Sequence, residues 1–177
     1  MASGCASMDT YVPKTVGPVP QDMPHELLRM QIDADEDFVP RGDIVTFSVT
    51  LKNHSPDALW IPDDPNLLLV WTYPNGRRDN FLQDAPGPAF YDESSAIRLA
   101  PGEEMIRRVH IQTHSFNFDG VTEFRAILEV AGNINPKLQP FWTGRVVSNG
   151  YGVMVARRSR LAELELPSVR RESGDPS

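Results

Sequence analysis

Alternation of apolar and polar side chains is the feature that most limits what this chain can fold into. The stretch from Leu99 to Val130 reads as two β-strands joined by an irregular corner. Four apolar side chains share one face of residues 123–130, namely Phe124, Ala126, Leu128 and Val130. The opposite face carries Glu123, Arg125 and Glu129, and Ile127 is its apolar exception. Because successive side chains of a strand point to opposite faces, this pattern predicts a half-buried strand.

Two further stretches predict strands of different kinds. Residues 44–51 alternate most regularly, and Val45, Phe47, Val49 and Leu51 are expected to point inward. Residues 67–73 are apolar on both faces, which is typical of a central strand covered on each side. The turn signal Pro74–Arg77 then predicts a hairpin partner at about Arg78 to Leu82.

Frequent chain breakers favour short elements and one domain. The 177 residues include 16 prolines and 12 glycines. About eight or nine short strands, with almost no helical periodicity before residue 156, predict an all-β, two-sheet antiparallel sandwich. The sandwich is expected over residues 25–155. Residues 1–24, rich in proline and without periodicity, predict an extended leader, and residues 156–177 predict a loose C-terminal tail, with a partner-docking peptide as the alternative.

The order of several short motifs resembles immunoglobulin-like sandwich domains of bacterial exported proteins, over about Leu27 to Val155. The motifs are Leu51–Asn53, Leu99–Glu103, Asp119–Gly120, Trp142–Gly144 and Val153–Val155. The resemblance implies an immunoglobulin-like sandwich, with an Asp-Gly corner introducing a strand whose aromatic residue caps the core. Phe124 stands in place of the expected tyrosine, and the cysteine pair is missing. The resemblance therefore implies a fold and carries over no functional residues.

The single cysteine, Cys5, excludes an intrachain disulfide. Ala2-Ser3-Gly4-Cys5 resembles the processing site of bacterial lipoproteins, which implies lipidation at Cys5 and a periplasmic or cell-envelope location. The basic and apolar segments that precede such a site are not in this sequence. A cytoplasmic protein with a free thiol in its leader is the alternative. No apolar run reaches ~18 residues, so membrane contact is expected only through the lipid anchor.

Charge and residue types argue against nucleic-acid binding and catalysis. The formal net charge of -7 repels a phosphate backbone, and the body of the chain shows no basic patch. A nucleophilic enzyme needs Ser or Cys beside a histidine base. No Gly-x-Ser-x-Gly pattern occurs, and no local sequence ties a serine to any of the four histidines. We therefore expect no enzyme and no catalytic residues.

Two residue patterns raise the question of a metal. Asp33, Asp35 and Asp37 match the first three acidic positions of a calcium loop, but Phe38 and Ile44 stand where the loop needs glycine and glutamate. A weak calcium site or a solvated acidic turn are the two interpretations. His110 and His114 would share a strand face, as a zinc site requires, but no third ligand is near in sequence. Two exposed histidines at a strand end are the favoured interpretation.

Aromatic residues gather near the predicted strand ends and loops: Trp60, Trp71, Tyr73, Phe90, Tyr91, Phe116, Phe118, Phe141 and Trp142. Trp60 and Ile61 are expected to plug one end of the sandwich, while Phe116 and Phe118 are predicted to be partly exposed and to bind a partner. The sequence thus favours a non-catalytic protein-binding or structural component of the bacterial cell envelope. A proteinase-inhibitor-like module using the loop Gln83 to Glu93, or a calcium- or carbohydrate-binding accessory domain, are the alternatives.

Overall fold

The computed structural model describes residues 26–82 and 90–159, which are built from eleven β-strands. In chain order they are β1 (Leu28–Ala34), β2 (Phe38–Pro40), β3 (Ile44–Asn53), β4 (Leu59–Pro62), β5 (Leu68–Thr72), β6 (Arg78–Leu82), β7 (Ala96–Leu99), β8 (Glu104–Gln112), β9 (Gly120–Val130), β10 (Gly144–Val147) and β11 (Tyr151–Ala156). The all-β prediction is confirmed. The leader with Cys5, most of the loop Gln83 to Glu93 and the tail from residue 160 lie outside the described residues.

One sheet has three antiparallel strands in the order β1-β3-β8. β3 lies in its centre, with Phe47 opposite Ala34 on one side and Val109 on the other. The four side chains predicted to point inward from β3 are each no more than 1% exposed. The alternation of this strand therefore identified its buried face correctly.

The larger sheet has the order β2-β11-β9-β5-β6, with β10 also paired to β9. β5 lies between β9 and β6, as its two apolar faces predicted. Leu69 and Trp71 point into the main core, while Val70 packs on the other face with Ile127 and Val147. Ile127, the apolar exception in the alternation of β9, thus belongs to a small second hydrophobic cluster.

A β-bulge separates β10 from β11. Val147 lies opposite Ile127, whereas Tyr151, four residues later, lies opposite Phe124, only three residues back. Both strands pair with β9, so residues 148–150 contain one extra residue and do not switch sheets. The Ser148 hydroxyl accepts the Ala126 N–H at 2.9 Å and so takes over part of the interrupted ladder.

The two sheets pack face to face as an immunoglobulin-like sandwich. Phe47 and Phe124, both fully buried, meet across the core with ring centroids 4.6 Å apart. The strand sets β1-β3-β8 and β11-β9-β5 correspond to the two sheets of that fold. Among the eleven strands of the described chain, the one parallel pair joins β2 to β11. The sequence pattern does not predict β2, because three residues are too few to show alternation.

A small sheet of β4 and β7 closes one end of the sandwich, where Ile61 is fully buried and Trp60 is half-buried. At the opposite end, the Asp119–Gly120 corner approaches the turn after β5. Gly120 has a φ of +142°, and a Cβ there would lie 2.7 Å from Cγ of Pro74. This close approach requires glycine. Among the described residues, no helix is both long and apolar enough to span a bilayer.

Candidate protein-interaction surface at one end of the sandwich

Three connections meet at the end of the sandwich closed by β4 and β7; we call residues 54–67, 90–95 and 131–143 together the loop end. The connection after β9 pairs with β4 through backbone hydrogen bonds. Trp60 N–H donates to the Pro140 carbonyl at 2.9 Å, and Trp142 N–H donates to the Trp60 carbonyl at 2.8 Å. A strand-like ladder therefore fixes the base of this connection.

Asparagine side chains of residues 131–143 form a second contact within the loop end, with the backbone of Tyr91. The Tyr91 N–H donates to Asn133 Oδ1 at 3.0 Å, and Asn135 Nδ2 donates to the Tyr91 carbonyl at 3.0 Å. Asn133 Oδ1 also accepts the Asn135 N–H, and Asn135 Oδ1 accepts the Lys137 N–H, and both are turns of the Asx type. Leu138 is fully buried below them. The loop is therefore fixed by hydrogen bonds and by an apolar anchor.

An aromatic pair lies against this network. The rings of Tyr91 and Phe141 stack with centroids 5.1 Å apart and an interplanar angle of 21°. Burial raises the pKa of the Tyr91 phenol above its ordinary value. The pair stabilises the loop end without introducing charge.

Two large apolar side chains project from this rigid framework into solvent. Ile134, between the two asparagines, is 77% exposed, and Phe90, beside Tyr91, is 51% exposed. Both neighbours of Ile134 and the chain neighbour of Phe90 belong to the hydrogen-bonded network, so both apolar side chains are carried by the same framework. Their exposure costs solvation free energy that burial against a partner would recover.

The prediction that Phe116 is a partly exposed binding aromatic is wrong. Phe116 is 1% exposed and stacks on Trp71, with ring centroids 5.6 Å apart. A turn in which the Phe116 N–H donates to the Thr113 carbonyl directs the ring inward, where it plugs the end opposite the loop end. Phe118 is half-buried against Tyr73, with centroids 5.6 Å apart. Both residues serve the core more than the surface.

The structure does not bring Asp33, Asp35 and Asp37 together as three ligands of one metal ion. Asp33 accepts the N–H of the next residue, while Asp35 pairs with Arg108 at 3.2 Å. The Asp37 carboxylate accepts the Tyr151 hydroxyl at 2.6 Å, which raises the pKa of that phenol to about 12. The chain crosses from one sheet to the other here. Asp33 also raises the pKa of the Tyr151 phenol, so Asp33 and Asp37 act on the same hydroxyl while Asp35 pairs with Arg108.

No group of three or more His, Cys, Asp or Glu side chains that could hold a metal ion occurs among residues 26–82 and 90–159. His110 is exposed on β8, with Nδ1 3.0 Å from the Thr46 hydroxyl. His114 follows the end of that strand and is also exposed. Both histidines are exposed near the end of β8, as the favoured interpretation of the sequence predicts.

Comparison with known proteins gives similarity of fold at low identity. No family model matches the chain, and no curated protein matches it in sequence. A CARDB domain from Pyrococcus furiosus, in complex with di-metal ions, is 16% identical; the alignment covers 76% of this chain and 99% of that one, with a TM-score of 0.40. Sporulation control protein Spo0M from Bacillus subtilis is 14% identical over 78% of this chain and 56% of its own, with a TM-score of 0.45.

A third similar structure is a Pseudomonas fluorescens alkylpurine DNA glycosylase, AlkC, bound to DNA. It is 10% identical over 72% of this chain, with a TM-score of 0.44, and the chain spans only 30% of its length. At these values the similarities say nothing about function. The assignment to a β-sandwich rests on the strand order and core of the protein itself.

Proposed function

We propose that this chain is a non-catalytic protein-binding module that engages its partner through the loop end. The observation that carries the proposal is the exposure of Ile134, at 77%, and of Phe90, at 51%, on a framework fixed by hydrogen bonds. Apolar side chains at the tips of sandwich loops are typical of binding surfaces. A partner that covers them gains the free energy of burying apolar area.

Rigidity of the loop end adds to this argument. Association costs free energy when loops and side chains must be ordered on binding. Here Asn133 and Asn135 fix the connection before a partner arrives, and Leu138 anchors it in the core. Most of the ordering cost is therefore already met by folding.

The proposed lack of catalysis is supported by the surroundings of the histidines. In the described chain, the one hydrogen bond of a histidine side chain joins His110 to Thr46 on the outer face of a sheet. His54 and His114 are exposed. A general base needs a nucleophile within hydrogen-bond reach and a group that orients it, and no such set surrounds these three side chains.

Site-specific photo-crosslinking in the native host tests the proposal. A benzophenone amino acid is introduced at position 134, and in a matched control at position 44, because Ile44 is also 51% exposed but lies at the opposite end. We expect a discrete crosslinked protein from position 134 and none from position 44. Equal crosslinking from both positions, or a product from position 44 alone, would contradict the proposal.

The module is further proposed to be held at the bacterial cell envelope by a lipid on Cys5, on the strength of the Ala2-Ser3-Gly4-Cys5 sequence. The test is intact mass and membrane fractionation of the protein expressed from its full native gene in its own host. Acylation and membrane partition that Cys5→Ala abolishes would support the anchor. A soluble protein with a free thiol would refute it and favour the cytoplasmic alternative.

A further inference from the structure

Polar side chains that can donate hydrogen bonds share the outer face of the smaller sheet where β1 and β3 pair. Arg29 lies opposite Lys52, and Gln31 lies opposite Thr50. The residues between them along both strands are buried in the core, so these four side chains point to solvent. The pairing of the two strands therefore places two cations and two neutral donors on one small area.

His54 extends this set by one position beyond β3. Its backbone N–H donates to the Leu27 carbonyl at 2.9 Å, so the pairing with β1 continues past the last residue of the strand. His54 follows Lys52 by two residues and is exposed, which places its side chain on the same face as Lys52. An imidazole thus lies on the face that carries Arg29 and Lys52.

An open depression of about 480 Å³ lies over these side chains. All five line it, and its described wall also includes Glu104, Val147 and Asn149. The volume is typical of a site for a small molecule. Strand pairing fixes the backbone positions of the donors, so less ordering is needed when a ligand binds.

The depression has more unused donors than acceptors. Its described lining contains one carboxylate, Glu104, whose Oε1 accepts a hydrogen bond from Lys52 Nζ at 2.6 Å. The Asn149 amide is already used by the backbone of β1. Within the described residues, the side chains of Arg29 and His54 have no hydrogen bond and no ion pair. A ligand that accepts hydrogen bonds is therefore favoured over one that donates them.

The charges in the depression favour an anion. Arg29 and Lys52 lie directly opposite each other, where like charges repel. Glu104 offsets the charge of Lys52, but in the described part of the chain no carboxylate offsets that of Arg29. The whole protein has a formal net charge of -7, so this excess of positive charge is local. An anion bound beside the two cations is attracted by both of them.

We propose that this depression binds a small soluble phosphate monoester through its phosphate group. At neutral pH such a group carries about two negative charges and has three strong acceptor oxygens. The Arg29 guanidinium can donate to two of these oxygens, and Lys52 adds a second positive charge. The Thr50 hydroxyl and the His54 imidazole supply further donors. The ligand differs in class from the protein partner proposed for the loop end, so either proposal can fail without the other.

NMR titration of the full isotope-labelled chain with glycerol phosphate at constant ionic strength tests the proposal. We expect saturable amide shifts within residues 29–31 and 50–54, with a dissociation constant on the order of 1 mM or lower. Glycerate has the same three-carbon body but a single charge, and it is expected to bind about tenfold more weakly. Glycerol is expected not to bind.

Three results would overturn the proposal: shifts that do not saturate, shifts confined to other residues, and equal affinities for glycerol phosphate and glycerate. Inorganic phosphate is the further probe, because it carries the phosphate group without an ester body. Its affinity is expected to be no higher than that of glycerol phosphate. Tighter binding of the inorganic ion would overturn the assignment to an ester.

Replacement of one arginine tests the role assigned to Arg29. Arg29→Gln is expected to weaken glycerol phosphate binding by about tenfold or more, because a charge-assisted bidentate contact is lost. Arg98→Gln is the matched control, since Arg98 is also an exposed strand arginine but lies on β7. Both side chains are exposed, and unchanged melting temperatures would confirm folding. Equal affinities of the two variants would contradict a site at Arg29.

Glu104 provides a test in the opposite direction. Glu104→Gln releases Lys52 from its ion pair and is expected to tighten glycerol phosphate binding by about threefold or more. Glu129→Gln removes the same charge from an exposed strand residue outside the depression, and should change the affinity by less than about twofold. Equal effects of the two variants, or weaker binding by Glu104→Gln, would overturn the proposal.

Discussion

The Asn149 side chain pairs with the backbone of Ile32 as a strand would, accepting its N–H at 2.9 Å and donating to its carbonyl at 3.1 Å. Ile32 belongs to β1 of the smaller sheet, and Asn149 lies in the bulge of the larger one. The bulge therefore places a polar side chain where it links the edges of the two sheets.

Replacement of Asn149 by alanine is expected to lower the free energy of unfolding by about 1–3 kcal/mol, because the Ile32 N–H and carbonyl lose their partner. Urea denaturation measures this as a lower midpoint with an unchanged slope. Gln31→Ala, at an exposed neighbouring position, is the control and should change stability by less than about 0.5 kcal/mol. Equal stabilities of the two variants would show that the amide pairing contributes nothing.

Phe116→Ala is expected to destabilise the protein by about 3–5 kcal/mol, because a fully buried aromatic side chain leaves a cavity. Phe116 contacts Trp71, Tyr73 and Phe124. Phe118→Ala, at a half-buried ring, should cost clearly less. Thermal or urea unfolding of both variants measures the two costs. If Phe116 were the exposed binding residue that the sequence predicts, Phe116→Ala would have little effect on stability.

Strand periodicity accounts for what the sequence predicts well. Residues of β3 and β9 alternate with a period of two over eight positions or more, so their buried faces can be read directly. β5 was recognised as central because both of its faces are apolar. β2 has three residues and no readable period. The bulge at residues 148–150 follows from the pairing of both β10 and β11 with β9, which no local pattern reveals.

Polar loops have no periodicity from which the exposure of an apolar side chain can be predicted. Phe116 and Ile134 both lie in polar loops, and only the backbone path decides that one ring turns inward and the other side chain outward. The Asn133-Ile134-Asn135-Pro136 sequence carries a signal, since asparagine favours side-chain turns. That signal identifies a turn, but the hydrogen bonds to Tyr91 depend on a contact between segments distant in sequence.

Asp119 is expected to stabilise the fold in a pH-dependent way. Burial raises the pKa of its carboxyl, but hydrogen bonds from Arg157 and the charge of Arg41 outweigh this, so the pKa lies below its ordinary value. A carboxyl with a lowered folded-state pKa contributes stability above its unfolded pKa and loses it as the pH falls through the folded value.

Asp119→Asn should therefore be less stable than the wild type from about pH 7 down to about pH 4, and the difference should shrink below that. Unfolding measured across this range checks it. Asp64→Asn, at an exposed position, is the matched control and should follow the wild type throughout. A stability difference between Asp119→Asn and the wild type that grows as the pH falls would contradict a lowered pKa of Asp119.

The Tyr151 phenol is expected to lose its proton at a higher pH than an ordinary tyrosine. Its hydrogen bond to Asp37 raises the pKa of the phenol to about 12. Because the folded-state pKa is raised, the protonated phenol stabilises the fold fully below the unfolded pKa of about 10. This contribution to stability is lost as the pH rises through the folded-state pKa. Ultraviolet titration of the wild type against Tyr151→Phe should show this phenol still protonated at about pH 11. Asp37→Asn should lower the pKa of this phenol toward its ordinary value, while burial and Asp33 still raise it. A phenol insensitive to this change would contradict the assignment.

Ile134→Asp should change stability by no more than about 0.5 kcal/mol, since the side chain is exposed. Leu138→Ala, four residues along the same connection, should cost about 2–5 kcal/mol, because Leu138 is fully buried. Denaturant unfolding of the two variants checks that the loop is anchored by one side chain while the other is available for binding. Comparable costs for both variants would contradict this division.

The most direct test of the protein-binding role is the affinity of Ile134→Asp and Ile44→Asp for the protein crosslinked from position 134. The account predicts a loss of about tenfold or more for Ile134→Asp, as for an apolar anchor in an interface, and less than about twofold for Ile44→Asp at the opposite end. Equal affinities for the two variants, or a larger loss for Ile44→Asp, would contradict binding through the loop end.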